Sequence, residues 1–322
     1  SAGTTAVGNT NNAPTGTVTI SGTPTEDQTL TASNTLADVD GLGVISYQWQ
    51  RDGVDIVGAT GSTYTLGDAD VGATITVVAS YTDGQGTSES VTSTGAGPIG
   101  NVNDNPVGLP VITGTVTEDQ TLTADTSGIS DADGLGAFNY QWLRDGVAIT
   151  GATASTYTLG DADVGATITV VASYTDGQGT AESVASAGVG PIANINDAPA
   201  GTVTIAGTAQ EGQTLTASNT LADEDGLGTI TYTWKADGVT VGTGSTYTLT
   251  QAEVGKVMTV TASYTDGQGT AESVTSAGTT AVGNTNNAPT GTVTISGTPT
   301  EDQTLTASNT LADVDGLGVI SY

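Results

Sequence analysis

Carboxylates recur along this chain at spacings that themselves repeat. Asp38 and Asp40 lie in LADVDG, and Asp83 follows in YTDGQG. The same triplet returns as Asp131, Asp133 and Asp176, then as Asp223, Asp225 and Asp266. A second set joins a glutamate to an Asp-x-Asp: Glu26 with Asp68 and Asp70, then Glu118 with Asp161 and Asp163. The stretches GNVNDNPVG and ANINDAPAG add Asn103, Asp104, Asn196 and Asp197. Carboxylate, amide and backbone oxygens are what hard calcium ions take, six to eight at a time. Without such an ion, clustered carboxylates repel one another and oppose the compact state. The same motifs have a plainer reading as turns, because Asp bonds to its own backbone and Gly accepts positive φ. Asp70, in Asp-Val-Gly, has the plainer reading of bracing a corner between strands.

Other chemistries lack their groups. The chain has no His, no Cys and only four basic residues against 34 acids, a formal charge of -30. That balance argues against nucleic acid and anionic membrane as partners. With no thiol, neither disulfides nor cysteine chemistry is available, and bound metal is the staple expected for small domains. The carboxylates recur alike in every copy, which suits metal binding and not one catalytic cleft, so the chain is expected not to be an enzyme. Arg51, Arg144 and Lys235 follow the tryptophans at a hairpin, where a turn-stabilising charge pair is expected. All ten tyrosines fall at three recurring positions and belong to strand packing, leaving no aromatic platform for a sugar. No apolar run reaches transmembrane length, and no direct membrane insertion is expected of this segment.

The elements that carry these acids are short strands. In TVTISG, TLTAS, ISYQWQ, STYTL and ATITVVASYTD apolar residues alternate with Thr, Ser and Gln, the period-two pattern of half-buried strands. Trp49, Trp142 and Trp234 stand 93 and 92 residues apart, and residues 276–322 repeat residues 1–47. A period of about ninety residues with seven strands, the tryptophan on the third, predicts an all-β fold of tandem immunoglobulin-like β-sandwich domains in a linear array. The repetition predicts a window of a longer repetitive polypeptide. The expected division is 1–12, the last strand of a preceding repeat; 13–102, 103–195 and 196–285, repeats 1 to 3; and 286–322, a truncated start of repeat 4. In such a sandwich the Asp38/Asp40/Asp83 loops lie where the chain enters, and the Glu26/Asp68/Asp70 loops where it leaves.

The segment YQWQRDGVDIVGATGSTYTLGDADVGATITV resembles the bacterial immunoglobulin-like repeats of large surface proteins and adhesins, and its Trp, Tyr-Thr-Leu and Asp-Val-Gly positions recur in all three repeats. The Asn-Asp linkers and the LADVDG and YTDGQG loops are similar to calcium-binding elements of cadherins and cadherin-like tandem repeats. By that analogy one calcium site draws on Glu26, Asp68, Asp70, Asn103, Asp104, Asp131, Asp133 and Asp176. The next draws on Glu118, Asp161, Asp163, Asn196, Asp197, Asp223, Asp225 and Asp266, and Asp38, Asp40 and Asp83 face the preceding junction. The third junction departs from the pattern, with Gln251-Ala-Glu253 and Asn286-Asn287; fewer or weaker ions and a hinge are expected there. The resemblance implies an extracellular, bacterial cell-surface setting and a calcium-rigidified extender or stalk of a large adhesin or matrix fibre, whose partners are calcium and neighbouring repeats. The competing reading is self-association into a multi-chain extracellular filament, or a glycan-recognition module.

Overall fold

The computed structural model describes Gly3, Gly8 and residues 10–322, so the strand expected over 1–12 lies largely outside the described residues. The chain forms two compact units: Ser1–Thr115 with Thr121–Thr158 and Ala166–Gly190, and Val116–Gln120 with Leu159–Gly165 and Pro191–Tyr322. Among the described residues there is no α-helix, only strands and three one-turn 3-10 segments, and no helix is long and apolar enough to cross a membrane.

The first unit begins with seven strands: β1 (Val18–Ser21), β2 (Thr29–Asn34), β3 (Ser46–Arg51), β4 (Val54–Asp55), β5 (Thr63–Thr65), β6 (Ile75–Thr82) and β7 (Ser88–Thr92). They make a three-stranded sheet, β1-β2-β5, and a four-stranded sheet, β4-β3-β6-β7, every pair antiparallel. Strand β6 shows why: in ITVVASYT alternate residues Ile75, Val77, Ala79 and Tyr81 are buried, so one face is committed to the interior. They meet Val18, Leu30 and Ala32 from the other sheet, and Leu66 just after β5, around the fully buried Trp49. That tryptophan lies 5.8 Å from the Tyr64 ring and donates its indole N–H to the Gly61 carbonyl at 2.9 Å.

The order repeats in the same unit with β8 (Val111–Thr113), β9 (Thr121–Asp125), β10 (Asn139–Arg144), β11 (Val147–Ala148), β12 (Thr156–Thr158), β13 (Ile168–Thr175) and β14 (Ala181–Ala185). The second unit carries it again in β15 (Val203–Ala206), β16 (Thr214–Asn219), β17 (Thr231–Ala236), β18 (Val239–Thr243), β19 (Thr246–Thr248), β20 (Met258–Thr265) and β21 (Ala271–Thr275), with Trp234 at the centre of its core. A further pair, β22 (Val293–Ser296) and β23 (Thr306–Asn309), follows. This is an all-β chain of immunoglobulin-like sandwiches, as the period-two pattern predicts.

Two features place the acidic loops. After β7 the chain returns along the sandwich: Ile99 and Gly100 bridge in parallel to Val71 and Thr25, so the linker starts beside Glu26. At the opposite end the YTDGQG loop closes on LADVDG, Gly84 N–H donating to the Asp40 carbonyl at 3.1 Å. A Cβ on Gly84 would stand 2.6 Å from that carbonyl oxygen, so the position admits only glycine without a shift.

Candidate metal centres

Glu26 sits in the turn after β1, where its own N–H donates to the Gly100 carbonyl at 2.9 Å. Its Oε2 accepts the Val102 N–H at 3.1 Å, while Oε1 is buried with no hydrogen-bond partner. The linker continues to Asp104, whose N–H donates to Asp133 Oδ2 at 2.8 Å. One carboxylate oxygen each from Glu26, Asp104 and Asp133 come within 4.8 Å of one another. The second unit repeats the arrangement. The Ile195 N–H donates to Glu118 Oε2 at 3.3 Å, the Asp197 N–H donates to Asp225 Oδ2 at 2.8 Å, and Glu118, Asp161 and Asp197 form the group within 4.8 Å.

Charge is strongly frustrated at both places. Burial, the neighbouring Asp68 and Asp104 push the Glu26 carboxyl up, against the lowering effect of the Val102 N–H. Burial and the Asp161 carboxyl push Glu118 up to about 7. Desolvation, then the surrounding Asp68, Asp133, Asp27 and Asp131, raise Asp104 as well. Asp197 is raised by burial and by Asp119, Asp225, Asp161 and Asp223.

A pH dependence of the metal-free chain follows. Glu118 binds its proton more tightly folded than unfolded, where its ordinary value is 4.5. Its contribution to stability is therefore complete below pH 4.5 and is lost as the pH rises through about 7. In chelator, urea unfolding of the wild type relative to Glu118→Gln should show a difference that grows from pH 5 to pH 8, the wild type falling behind. Equal pH profiles for the two proteins would contradict the geometry.

The unmet hydrogen-bonding groups show which kind of partner the centres fit. Among the described residues, the buried side-chain polar atoms without a partner are Glu26 Oε1, Asp83 Oδ2, Asn101 Oδ1, Glu118 Oε1, Asp176 Oδ2, Asn194 Oδ1, Asp225 Oδ1 and Asp266 Oδ2. All are acceptor oxygens and none is a donor, so a cation satisfies them where a further acceptor would not. The donor set, all hard oxygen with no nitrogen or sulfur, fits calcium better than a transition metal.

No protein-family model matches the chain, and no curated protein matches it. Among solved structures it is similar to a Ca2+-stabilized adhesin with which an Antarctic bacterium binds ice, at 14% identity over 91% of this chain and 79% of that one, with a TM-score of 0.30. It is also similar to part of a 1.5-MDa bacterial ice-binding adhesin, at 15% identity over 85% and 100% of the two chains and a TM-score of 0.28. A tetra-tandem repeat from the extending region of a large adhesion protein gives 18% identity over 93% and 88%, with a TM-score of 0.27. Scores of this size assign no role to any residue here, so the centres stand on their own geometry.

The expected ligands separate into four groups. Glu26, Asp68, Asp104 and Asp133 come together in the first unit, and Glu118, Asp161, Asp197 and Asp225 in the second. Asp131 and Asp223 lie behind them as braces: each accepts a tyrosine hydroxyl, Tyr174 or Tyr264, and the N–H of the aspartate two residues on. Asp38 does the same with Tyr81 and Asp40, and Asp40 accepts the Asn12 N–H at 2.7 Å. Asp83, Asp176 and Asp266 use Oδ1 to hold their own turns, Asp176 through Gln178 and Thr180 at 2.9 and 2.8 Å, and leave Oδ2 orphaned.

Other expected ligands are engaged elsewhere. Asp70 accepts the Arg51 Nε–H at 2.7 Å, the Tyr64 hydroxyl at 2.9 Å and the Gly67 N–H at 3.0 Å. The Arg51 charge pair thus ties β3 to the turn after β5 and not to its own hairpin, whose Asp52 instead accepts the Thr74 N–H at 2.9 Å. Asp163 is likewise buried and accepts the Gly160 N–H at 3.0 Å. Asn103 and Asn196 turn their amide nitrogens to Glu182 and Glu272 on β14 and β21, both at 2.8 Å, making a strut from linker to strand. In their place stand Asn101 and Asn194, two residues earlier, with buried and unpartnered Oδ1 atoms; the Asn-x-Asn-Asp spacing is the only signal of them in the sequence.

Arg51→Ala should cost on the order of 2 kcal/mol, below the 3–5 of a fully buried pair because the Arg51 side chain is 34% exposed. The same variant should leave any response to calcium unchanged, as melting with calcium and with chelator would show.

Proposed function

We propose that this chain is a calcium-rigidified extender, a stalk segment of a large bacterial surface adhesin or extracellular matrix fibre, with repeats at 13–102, 103–195 and 196–285. The observation that carries the reading is the buried, unpartnered carboxylate oxygen of Glu26 and of Glu118, each facing two further carboxylates. In each centre the ligands come from three places: a turn at the end of one repeat, the linker, and a loop of the next. An ion held there fixes the linker to both neighbours, converting a flexible joint into a stiff one. The role is structural and non-catalytic, and length scales with the number of repeats. The extracellular setting, where calcium is abundant, is the one implied by the likeness of YQWQRDGVDIVGATGSTYTL to adhesin repeats.

Small-angle scattering with calcium and with chelator tests the proposal. Calcium should lengthen and stiffen the particle, and Asp133→Ala should abolish the change at the first junction only. Scattering curves that coincide in the two conditions would sink the calcium-stalk reading.

A further inference from the structure

The third junction, in the second unit, carries the same framework with different chemistry. Gln251 stands in the 3-10 turn where Asp68 and Asp161 stand. Glu211 replaces Glu26 and Glu118, Asn284 replaces Asn101 and Asn194, and Asp315 replaces Asp133 and Asp225. Because one arm of the Gln251 amide faces only acceptors and the other only donors, its nitrogen is assigned to the acceptor side; so oriented, it donates to Glu211 Oε2 at 2.9 Å, Asn284 Oδ1 at 3.1 Å, and Glu211 Oε1 and Asp315 Oδ1 at 3.2 Å. These positions correspond to Glu26 Oε1, Asn101 Oδ1, Glu118 Oε1, Asn194 Oδ1 and Asp225 Oδ1, which are buried without partners at the other two junctions. A second exchange acts in the same sense. Asn287, where the other linkers have Asp104 and Asp197, donates its Nδ2–H to Glu211 Oε1 at 3.0 Å, and its N–H to Asp315 Oδ2 at 2.5 Å.

We infer that the Gln251 amide occupies the cation position of the third junction, so that this joint closes without a metal while the other two require one. The inference rests on the calcium reading of the first two centres and deepens it, because the amide marks which oxygens converge on the ion. Asn101 and Asn194 are thereby assigned as ligands through Oδ1. Two acceptors have become donors: the first centre gathers the carboxylates of Glu26, Asp68, Asp104 and Asp133, and the third only those of Glu211 and Asp315. A neutral NH2 meets the smaller charge, and no room is left for an ion beside it. The joint is then a latch and not the hinge expected from its thinned acids.

Hydrogen exchange on the full chain, read by mass spectrometry with calcium and with chelator, tests this. The reporters are the linker amides held by the glutamate and aspartate: Val102 and Asp104, Ile195 and Asp197, Thr285 and Asn287. The third linker must be read in a fragment such as 271–288, because residues 276–322 share their text with 1–47. At calcium 100 times its dissociation constant, the first two linkers should slow by about a hundredfold, and the third should not change. In chelator, Gln251→Ala should speed exchange of the third linker alone, and Gln251→Asp with Asn287→Asp should make that linker calcium-dependent. Calcium protection of the wild-type third linker equal to that of the others would overturn the inference, as would unchanged exchange in Gln251→Ala. If no linker responds to calcium, the stalk proposal fails by itself, and Gln251→Ala in chelator still decides whether the amide holds the third joint.

Discussion

Calcium added to the metal-free chain is expected to raise its melting temperature by several degrees. An ion that binds only the folded, docked state at 100 times its dissociation constant adds about 2.7 kcal/mol. A domain of this size is stable by only about 5–15 kcal/mol in total, and about 1 kcal/mol moves its midpoint by roughly 4–8 °C. The gain is large because the metal-free centre is poor. Glu26 and Glu118 are almost wholly buried, each with an oxygen facing other carboxylates and no donor. Calorimetry across a calcium series reads the effect directly. A midpoint that is the same in millimolar calcium and in chelator would leave the acidic loops as turns and solubility residues.

The second large effect is an inversion of sign. Glu118→Gln removes one buried negative charge and supplies an NH2 in a place crowded with acceptors, much as Gln251 does at the third junction. In chelator above pH 7 this variant should therefore be more stable than the wild type, by about 1–2 kcal/mol if it relieves a repulsion and gains a charge-assisted hydrogen bond. In calcium the order should reverse, because a ligand has been lost. Glu26→Gln should behave alike at the first centre, where burial and Asp68 also push the carboxyl up. Paired melts of each variant in calcium and chelator give the answer. A variant less stable than the wild type in both conditions would mean that the glutamate serves the fold and not an ion.

The sandwich was legible in the sequence because its interior is written with period two. ITVVASYT commits Ile75, Val77, Ala79 and Tyr81 to one side, and nothing distant is needed to read that. Convergence of Glu26, Asp104 and Asp133 was legible at the level of loops, since the topology puts those loops at meeting ends. Which of the candidate ligands converge, and which are engaged elsewhere, was not. Asp68 and Asp70 are two residues apart in one turn, yet only the register of β3 against β6, Arg51 opposite Ile75, presents a guanidinium to Asp70 and leaves Asp68 facing Glu26. Asn103 looks like the natural linker ligand until Glu182 on β14 takes its amide. Gln251 reads in the sequence as one acid fewer; which way its nitrogen points is a property of the assembled pocket.

The return of the chain alongside its own beginning has a mechanical consequence. Ile99 and Gly100 bridge in parallel to Val71 and Thr25, and Gly100 leads straight into the linker. A pull applied along the chain drags Thr25, through β1, and Gly100 in opposite directions along a shared line. Bonds between parallel segments loaded this way are sheared together, whereas an antiparallel hairpin pulled from its open end is unzipped one bond at a time. The Glu26 N–H to the Gly100 carbonyl and the Gly100 N–H to the Pro24 carbonyl, at 2.9 and 3.0 Å, lie within this clamp. Thr117 and Ala193, and Gln210 and Gly283, repeat its outer bridge. Each repeat is thus built to hold tension at the very place where the linker leaves it, in the first two beside the glutamate whose second oxygen has no partner.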